Sequence, residues 1–286
     1  MIGRPPDSAV QGPARDFSRH HDCRSPLIAW CSPLWHRNRW LTGFALAHLA
    51  VLAVLLVLMM LDSRQLTGVN IWLKPAKFAM SISIYLLTMA WLLGELRRPC
   101  WMIGAIAAVV IASMALEQVL ITLQAARGVT SHYNNDTAFD AMVFSLMGLG
   151  VGANALAVAA AMILFVGSID QARPAYWWAI RCALLIFLLG SVQGFAMIAN
   201  GGHTVGAPDG GPGIPVLAWS NAAGDLRIAH FIGIHAIQVL PLFGWWIDRS
   251  RLPPLTKIAL VLIAATAYAG LGWLVHWLAL SGRTVF

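Results

Sequence analysis

The chain has 286 residues, of which 59% are hydrophobic and 11% are charged, and its formal net charge is +7. Soluble proteins carry about 25% charged residues. The composition therefore excludes a soluble globular domain, which could not make so much apolar surface tolerable to water. The four cysteines contain no CxxC pair and predict no disulfide framework.

The amino-terminal segment, residues 1–38, is polar and rich in arginine, without an apolar run followed by a cleavage site. This pattern does not match a cleaved signal peptide. We interpret the segment as a polar, flexible cytoplasmic tail and residues 39–286 as a transmembrane domain. The tail contains four irregularly spaced residues that are weak zinc-ligand candidates: His20, His21, Cys23 and Cys31.

Seven apolar blocks follow the tail, each long enough to cross about 30 Å of hydrocarbon at 1.5 Å per residue. They predict an all-α fold, a polytopic bundle of about seven transmembrane helices. The blocks cover residues 41–61, 72–94, 100–124, 139–166, 176–199, 226–247 and 257–280. Tryptophans near the proposed ends, among them Trp72 and Trp245, are typical of an interfacial aromatic belt.

Basic residues are distributed unevenly between the connecting segments. With a cytoplasmic amino terminus, each short cytoplasmic segment is basic, as at Arg97 and Arg98, whereas the opposite loops hold few basic residues. The positive-inside rule therefore predicts an internal amino terminus and an external carboxy terminus. The basic cytoplasmic segments account for the positive net charge, so a nucleic-acid partner is not needed to explain it. We expect a multi-pass protein of the bacterial inner membrane, with the lipid bilayer as its first partner.

Two of the predicted outer loops differ from the others. Residues 125–138 are densely polar, and Asp136 or Thr137 can cap the fourth helix. Residues 200–225 contain seven glycines and three prolines, and Asp225 is a natural N-cap for the sixth span. This second loop is either a flap over an outer cavity or a plain connector.

Polar and ionisable residues within the spans concentrate in the predicted outer half. Placing such residues in a membrane costs free energy, so they usually face a cavity or a polar partner. In the second span a polar stripe recurs at three- and four-residue steps, and Lys74 at its start either snorkels to the interface or joins the pocket. We expect an outward-facing polar pocket whose lining includes Lys77, Glu117, Gln124, Arg127, His132, Arg227, His230, His235, Gln238 and His276.

The residue types suggest three roles within this pocket. Glu117 and His132 are candidate catalytic acid–base groups. The candidate ligand-binding residues, suited to a small anionic or lipid-like ligand, are Lys77, Gln124, Arg127, Arg227 and Gln238. The candidate metal ligands are His230, His235 and His276. A competing interpretation is that Glu117 pairs with Lys77 or Arg227 and only fixes helix packing.

The histidine spacing does not enforce a metal site. His230 and His235 are five residues apart, which separates them by about 140° around a helix. Either His235 faces the cavity and His230 another helix, or a distortion before Pro241 brings both inward. One of them together with His276 and Glu117 would suit zinc or iron, and two histidines on facing helices would suit haem.

Three stretches resemble a group of uncharacterised bacterial seven-span membrane proteins. They are NIWLKPAKFAMSISIY (residues 70–85), QAARGVTSHYN (124–134) and GDLRIAHFIGIHAIQ (224–238). This resemblance implies a seven-helix fold and supplies no activity. The sequence therefore leaves three functions open: a metal- or haem-binding membrane enzyme or redox protein, a metal-free transporter or sensor for a small anionic ligand, and a structural subunit of a membrane complex.

Overall fold

The computed structural model describes residues 33–286 and contains seven helices that are long and apolar enough to cross a membrane. This confirms the predicted all-α bundle. The helices are α1 (Arg39–Leu61), α2 (Leu73–Leu93), α3 (Cys100–Arg127), α4 (Ala138–Val166), α5 (Pro174–Asn200), α6 (Leu226–Asp248) and α7 (Pro254–Leu280). Most of the predicted tail, including its four zinc-ligand candidates, lies outside the described residues.

Helix boundaries follow from local side-chain chemistry. The Asn38 side chain accepts a hydrogen bond from the Leu41 amide at the start of α1, and Thr137 and Asp225 cap α4 and α6 in the same way. Gly128 ends α3 with a left-handed backbone, φ 75°, which a residue with a side chain rarely adopts. Of the two caps considered for α4, Asp136 and Thr137, the structure selects Thr137, and the N-cap predicted at Asp225 is confirmed.

Helices α5 and α6 pack closely because they cross at glycines. A Cβ atom on Gly190 would lie 2.7 Å from the Gly233 Cα, and a Cβ atom on Gly233 would lie 2.5 Å from the Gly190 Cα. Nearer the other end of α6, a Cβ atom on Gly244 would lie 2.5 Å from the Ala179 Cβ. Small residues allow such close backbone approach, which is a main source of attraction between membrane helices.

Helix α2 is central, although its lysines make it one of the two least hydrophobic spans. More than half of its most apolar stretch is buried inside the protein (56%), against 17% for α1, which presents most of its surface outward. Ser83 donates a hydrogen bond to the Ala45 carbonyl of α1 (2.9 Å), and Tyr85 donates one to Asn154 of α4 (2.8 Å). Through these contacts α2 fixes the polar stripe inside the bundle.

One end of the bundle is closed by Glu95, which follows α2. Its two carboxylate oxygens accept from Arg37 at 2.7 Å and from Arg173 at 2.8 Å. Burial alone would raise the pKa of Glu95, but the hydrogen bonds from Arg173 and Arg37 outweigh it and lower that pKa. We call this the inner end, after the orientation that the basic residues predict, and the opposite end the outer end.

Two short antiparallel strand pairs shape the outer end. They are β1 (Gln65–Leu66) with β2 (Val69–Asn70), and β3 (Thr204–Val205) with β4 (Gly224–Asp225). The second pair closes the base of the glycine-rich loop, which then crosses the outer end: a Cβ atom on Gly210 would lie 3.4 Å from the Thr67 Cβ in the α1–α2 connection.

We expect Gly233→Ala to lower the free energy of unfolding by about 1–3 kcal/mol, because its methyl group has no room at the α5–α6 crossing. The measurement is the apparent melting temperature of detergent-purified protein, read by size-exclusion chromatography after heating. Gly104→Ala in α3 is the matched control, since nothing lies within 4 Å of its Cβ position. Equal melting temperatures for the two variants would refute the close crossing.

Candidate functional site

The outer end brings together polar residues from α2, α3, the α3–α4 loop and the start of α6. Three small groups can be distinguished: a lysine–histidine–glutamate group, and two arginine–aspartate groups. A fourth set of polar residues lies deeper, on α2, α6 and α7. The ionic partners within each group determine which side chains remain available to a ligand.

The first group contains Lys74, His132 and Glu117. The Lys74 Nζ lies 3.2 Å from the His132 Nδ1, and the His132 Nε2 lies 3.6 Å from the Glu117 Oε1. The second carboxylate oxygen, Glu117 Oε2, is buried and has no hydrogen-bond partner among the described residues, 33–286. Lys74 therefore reaches a histidine that connects it to a buried carboxyl group.

His132 lies inside a shell of aromatic rings. The ring centroids of Phe78, Tyr133 and Phe144 are 6.0–6.3 Å from its own, and the Ser131 hydroxyl lies 3.1 Å from its Nδ1. Burial, reinforced by the Lys74 ammonium, holds the pKa of His132 well below its usual value. The imidazole is therefore neutral near pH 7 and can accept a proton at one nitrogen while donating at the other.

Lys77 lies on the same face of α2, one turn further along. Its Nζ donates to the carbonyl oxygens of Val216 at 3.0 Å and Leu217 at 3.4 Å. Both acceptors belong to the glycine-rich loop between α5 and α6. That loop therefore folds over the outer end and contacts a residue of the predicted pocket.

The second group joins α3 to α4. The Asp140 carboxylate accepts from Gln124 at 2.8 Å, from Arg127 at 2.5 Å and from Thr137 at 2.5 Å. Arg127 also donates to the Gln124 amide oxygen and lies 4.7 Å from the Phe139 ring centroid. The polar groups of Gln124 and Arg127 thus contact Asp140, which is a structural partner for both residues.

The third group fixes the start of α6. Arg227 pairs with the fully buried Asp225 at 2.5 Å and donates to the Ala218 carbonyl at 2.5 Å. Asp225 also accepts from the Ser220 amide at 2.8 Å. One buried carboxylate therefore serves as helix cap, as ion-pair partner and as an anchor for the preceding loop.

The arginines and the lysines of the outer end differ in their partners. Arg127 and Arg227 each contact an aspartate at 2.5 Å. By contrast, among residues 33–286 no carboxylate oxygen lies within 4 Å of the Nζ of Lys74 or of Lys77. Of these four cations, the two lysines are therefore the ones whose charge is least compensated by direct contacts.

The deeper set contains the predicted metal ligands and Gln238. His230 lies 2.7 Å from the Gly190 carbonyl of α5, so it faces another helix. His235 lies 3.2 Å from Gln238, which donates to Thr88 of α2 at 3.0 Å. His276 on α7 has a buried Nδ1 without a hydrogen-bond partner. Within residues 33–286, no three His, Cys, Asp or Glu side chains come together as metal ligands.

The structure brings the two candidate acid–base residues, Glu117 and His132, together. It pairs Glu117 with His132 instead of with Lys77 or Arg227, the partners considered from the sequence. Sequence reasoning missed His203 and Asp209, whose Nδ1 and Oδ2 lie 2.8 Å apart. They belong to a loop whose composition resembles a connector, so no periodicity marked them.

Comparisons with known proteins found no matching protein-family model, no matching curated protein and no matching solved structure. This agrees with a resemblance to an uncharacterised group. The geometry of the outer end therefore provides the clues to function.

The depressed pKa of His132 predicts acid sensitivity. The unfolded chain binds more protons than the folded one below about pH 6.5, so stability is full above that pH and falls with acidification. We expect the apparent melting temperature to drop between about pH 7.5 and 5.5, and His132→Gln to drop less. The exposed His36, changed to Gln, is the control. Identical pH slopes for wild type and His132→Gln would contradict the assignment.

Proposed function

We propose that this chain is a multi-pass protein of the bacterial inner membrane that binds a small anionic ligand at its outer end and acts as its transporter or sensor. The ligand's negative group would contact the ammonium groups of Lys74 and Lys77. Glu117 and His132, next to Lys74, would exchange a proton as the ligand binds.

The observation that carries this proposal is the contrast between paired arginines and unpaired lysines. Lys74 and Lys77 are half-buried, and an ammonium group that has lost part of its water is costly unless a negative charge balances it. Arg127 and Arg227 are balanced by Asp140 and Asp225, whereas within residues 33–286 Lys74 and Lys77 have only neutral acceptors within hydrogen-bond distance. An anionic ligand would supply the missing charge and gain two charge-assisted hydrogen bonds.

The proton role of Glu117 and His132 follows from their linkage to Lys74. When an anion approaches the Lys74 ammonium, it weakens the attraction between Lys74 and the Glu117 carboxylate. Glu117 then binds a proton more readily, and His132, whose two nitrogens face Lys74 and Glu117, is placed to pass it. A transporter would use this linkage for proton coupling and a sensor would use it as a signal.

The metal- or haem-binding enzyme that the sequence also favours stays a prediction. His276 offers a buried, unpartnered nitrogen, which is the geometric feature in its favour. The Nδ1 atoms of His230 and His235 contact other groups, whereas their Nε2 atoms have no such contacts in the part of the chain that the structure describes. The proposal therefore rests on the lysines. The metal content of the purified protein tests the alternative in which the histidines bind a metal or haem.

The test is a thermal-shift screen of detergent-purified protein with the sodium salts of acetate, benzoate and phosphate, against sodium chloride of equal ionic strength. Saturation at one hundred times Kd would stabilise the folded protein by about 2.7 kcal/mol. We expect at least one salt to raise the melting temperature of wild type, and Lys74→Met and Lys77→Met to abolish that rise.

Arg283→Gln, which removes a cation elsewhere at the outer end, is the matched control and keeps the full effect. The proposal is refuted if no salt stabilises the wild type beyond sodium chloride. It is equally refuted if the lysine variants respond as the wild type does, because the anion would then bind elsewhere.

A further inference from the structure

The glycine-rich loop has an ordered tip, residues 212–221, that lies over Lys77. The Ile214 amide donates to the Trp219 carbonyl at 2.9 Å, the Ala218 amide to the Ile214 carbonyl at 2.8 Å, and the Asn221 amide to the Pro212 carbonyl at 3.2 Å. These internal hydrogen bonds hold the tip as a compact unit. It can therefore move as one piece on the base formed by β3 and β4.

The tip adopts an unfavourable backbone where it meets the cations. Val216 and Ala218 have left-handed backbones, with φ of 68° and 55°. This region is rarely adopted by residues with a side chain, least of all by a β-branched valine. Strain of this kind persists when surrounding contacts hold it, and here the contacts are with Lys77 and Arg227.

Three consecutive carbonyl oxygens supply those contacts. The oxygens of Val216 and Leu217 accept from Lys77, and the oxygen of Ala218 accepts from Arg227. Together they present partial negative charge to two cations, the arrangement that the oxygens of a carboxylate or a phosphate would present. A full negative charge binds an ammonium group more strongly than a neutral carbonyl does, so an anion can displace these carbonyl oxygens.

We propose that residues 212–221 form a lid whose carbonyls occupy the place of the ligand's anionic group, and that binding of an anion to Lys77 releases the tip. This inference rests on the proposed function and adds its regulation: the empty site is closed by its own loop. Arg227 keeps its ion pair with Asp225 in either state, so the base of the lid stays attached.

The test measures opening of the lid through Ile214→Cys, since Ile214 is half-buried in the tip and its backbone bonds only to other residues of the tip. The protein carries serine in place of its four cysteines, Cys23, Cys31, Cys100 and Cys182, and is labelled in detergent with a hydrophilic maleimide. We expect Lys77→Met to speed labelling about tenfold, because the tip loses its ammonium contact, and Lys77→Arg to leave the rate near that of wild type.

Ser113→Cys, buried in α3, reports unfolding of the bundle. The lid is overturned if Lys77→Met leaves the labelling of Ile214→Cys unchanged, or if it accelerates Ser113→Cys equally. In a second arm, sodium acetate, benzoate and phosphate are added to the protein with Lys77 intact. A salt that stabilises the protein through Lys77 without speeding labelling refutes the lid and leaves the proposed function standing. If no salt stabilises the protein, the proposed function fails and the Lys77→Met arm still decides whether Lys77 holds the tip.

Discussion

The structure depends on one constraint, that a charge placed among apolar helices needs an opposite charge beside it. Glu95 meets this constraint with Arg37 and Arg173 and thereby closes the inner end. At the outer end, Asp140 and Asp225 meet it with one arginine each. The Glu95 and Asp140 pairs join segments that the sequence separates, whereas Asp225 and Arg227 lie two residues apart at the start of α6. The apolar helices provide the bundle, and these pairs determine how its ends are closed.

The same constraint makes the two lysines of α2 informative. They lie on the most buried span, and their nearest acceptors are a histidine and the carbonyls of a loop. A lysine or arginine whose only role was structural would be expected to contact a carboxylate, as Arg127 and Arg227 do. Lys74, Lys77 and the Glu117–His132 pair are thus better explained by a ligand that completes the site than by helix packing alone.

The sequence predicted the seven spans because hydropathy over about 20 residues determines them, and it predicted the N-caps at Thr137 and Asp225 because capping is local. It also predicted the concentration of polar residues toward one end. It did not predict the ionic partners, since these depend on how loops fold back. His132 reaches Glu117 only because α3 ends at Gly128 and the chain returns over α2 and α3. Glu95, His203 and Asp209 lie in connections, where no periodicity marks a residue as functional.

The central claim, that Lys77 is an unbalanced cation and Arg227 a balanced one, is tested most directly by comparing Lys77→Met with Arg227→Met without any added ligand. Both side chains hold carbonyls of the same loop, but only Arg227 neutralises a buried carboxylate. Removing one partner of a buried pair costs about 3–5 kcal/mol, somewhat less here because Arg227 is a quarter exposed. The account predicts that Arg227→Met lowers the apparent melting temperature of purified protein strongly, whereas Lys77→Met leaves it unchanged or raises it. An equal fall in both variants would show that Lys77 is a structural cation and would contradict the account.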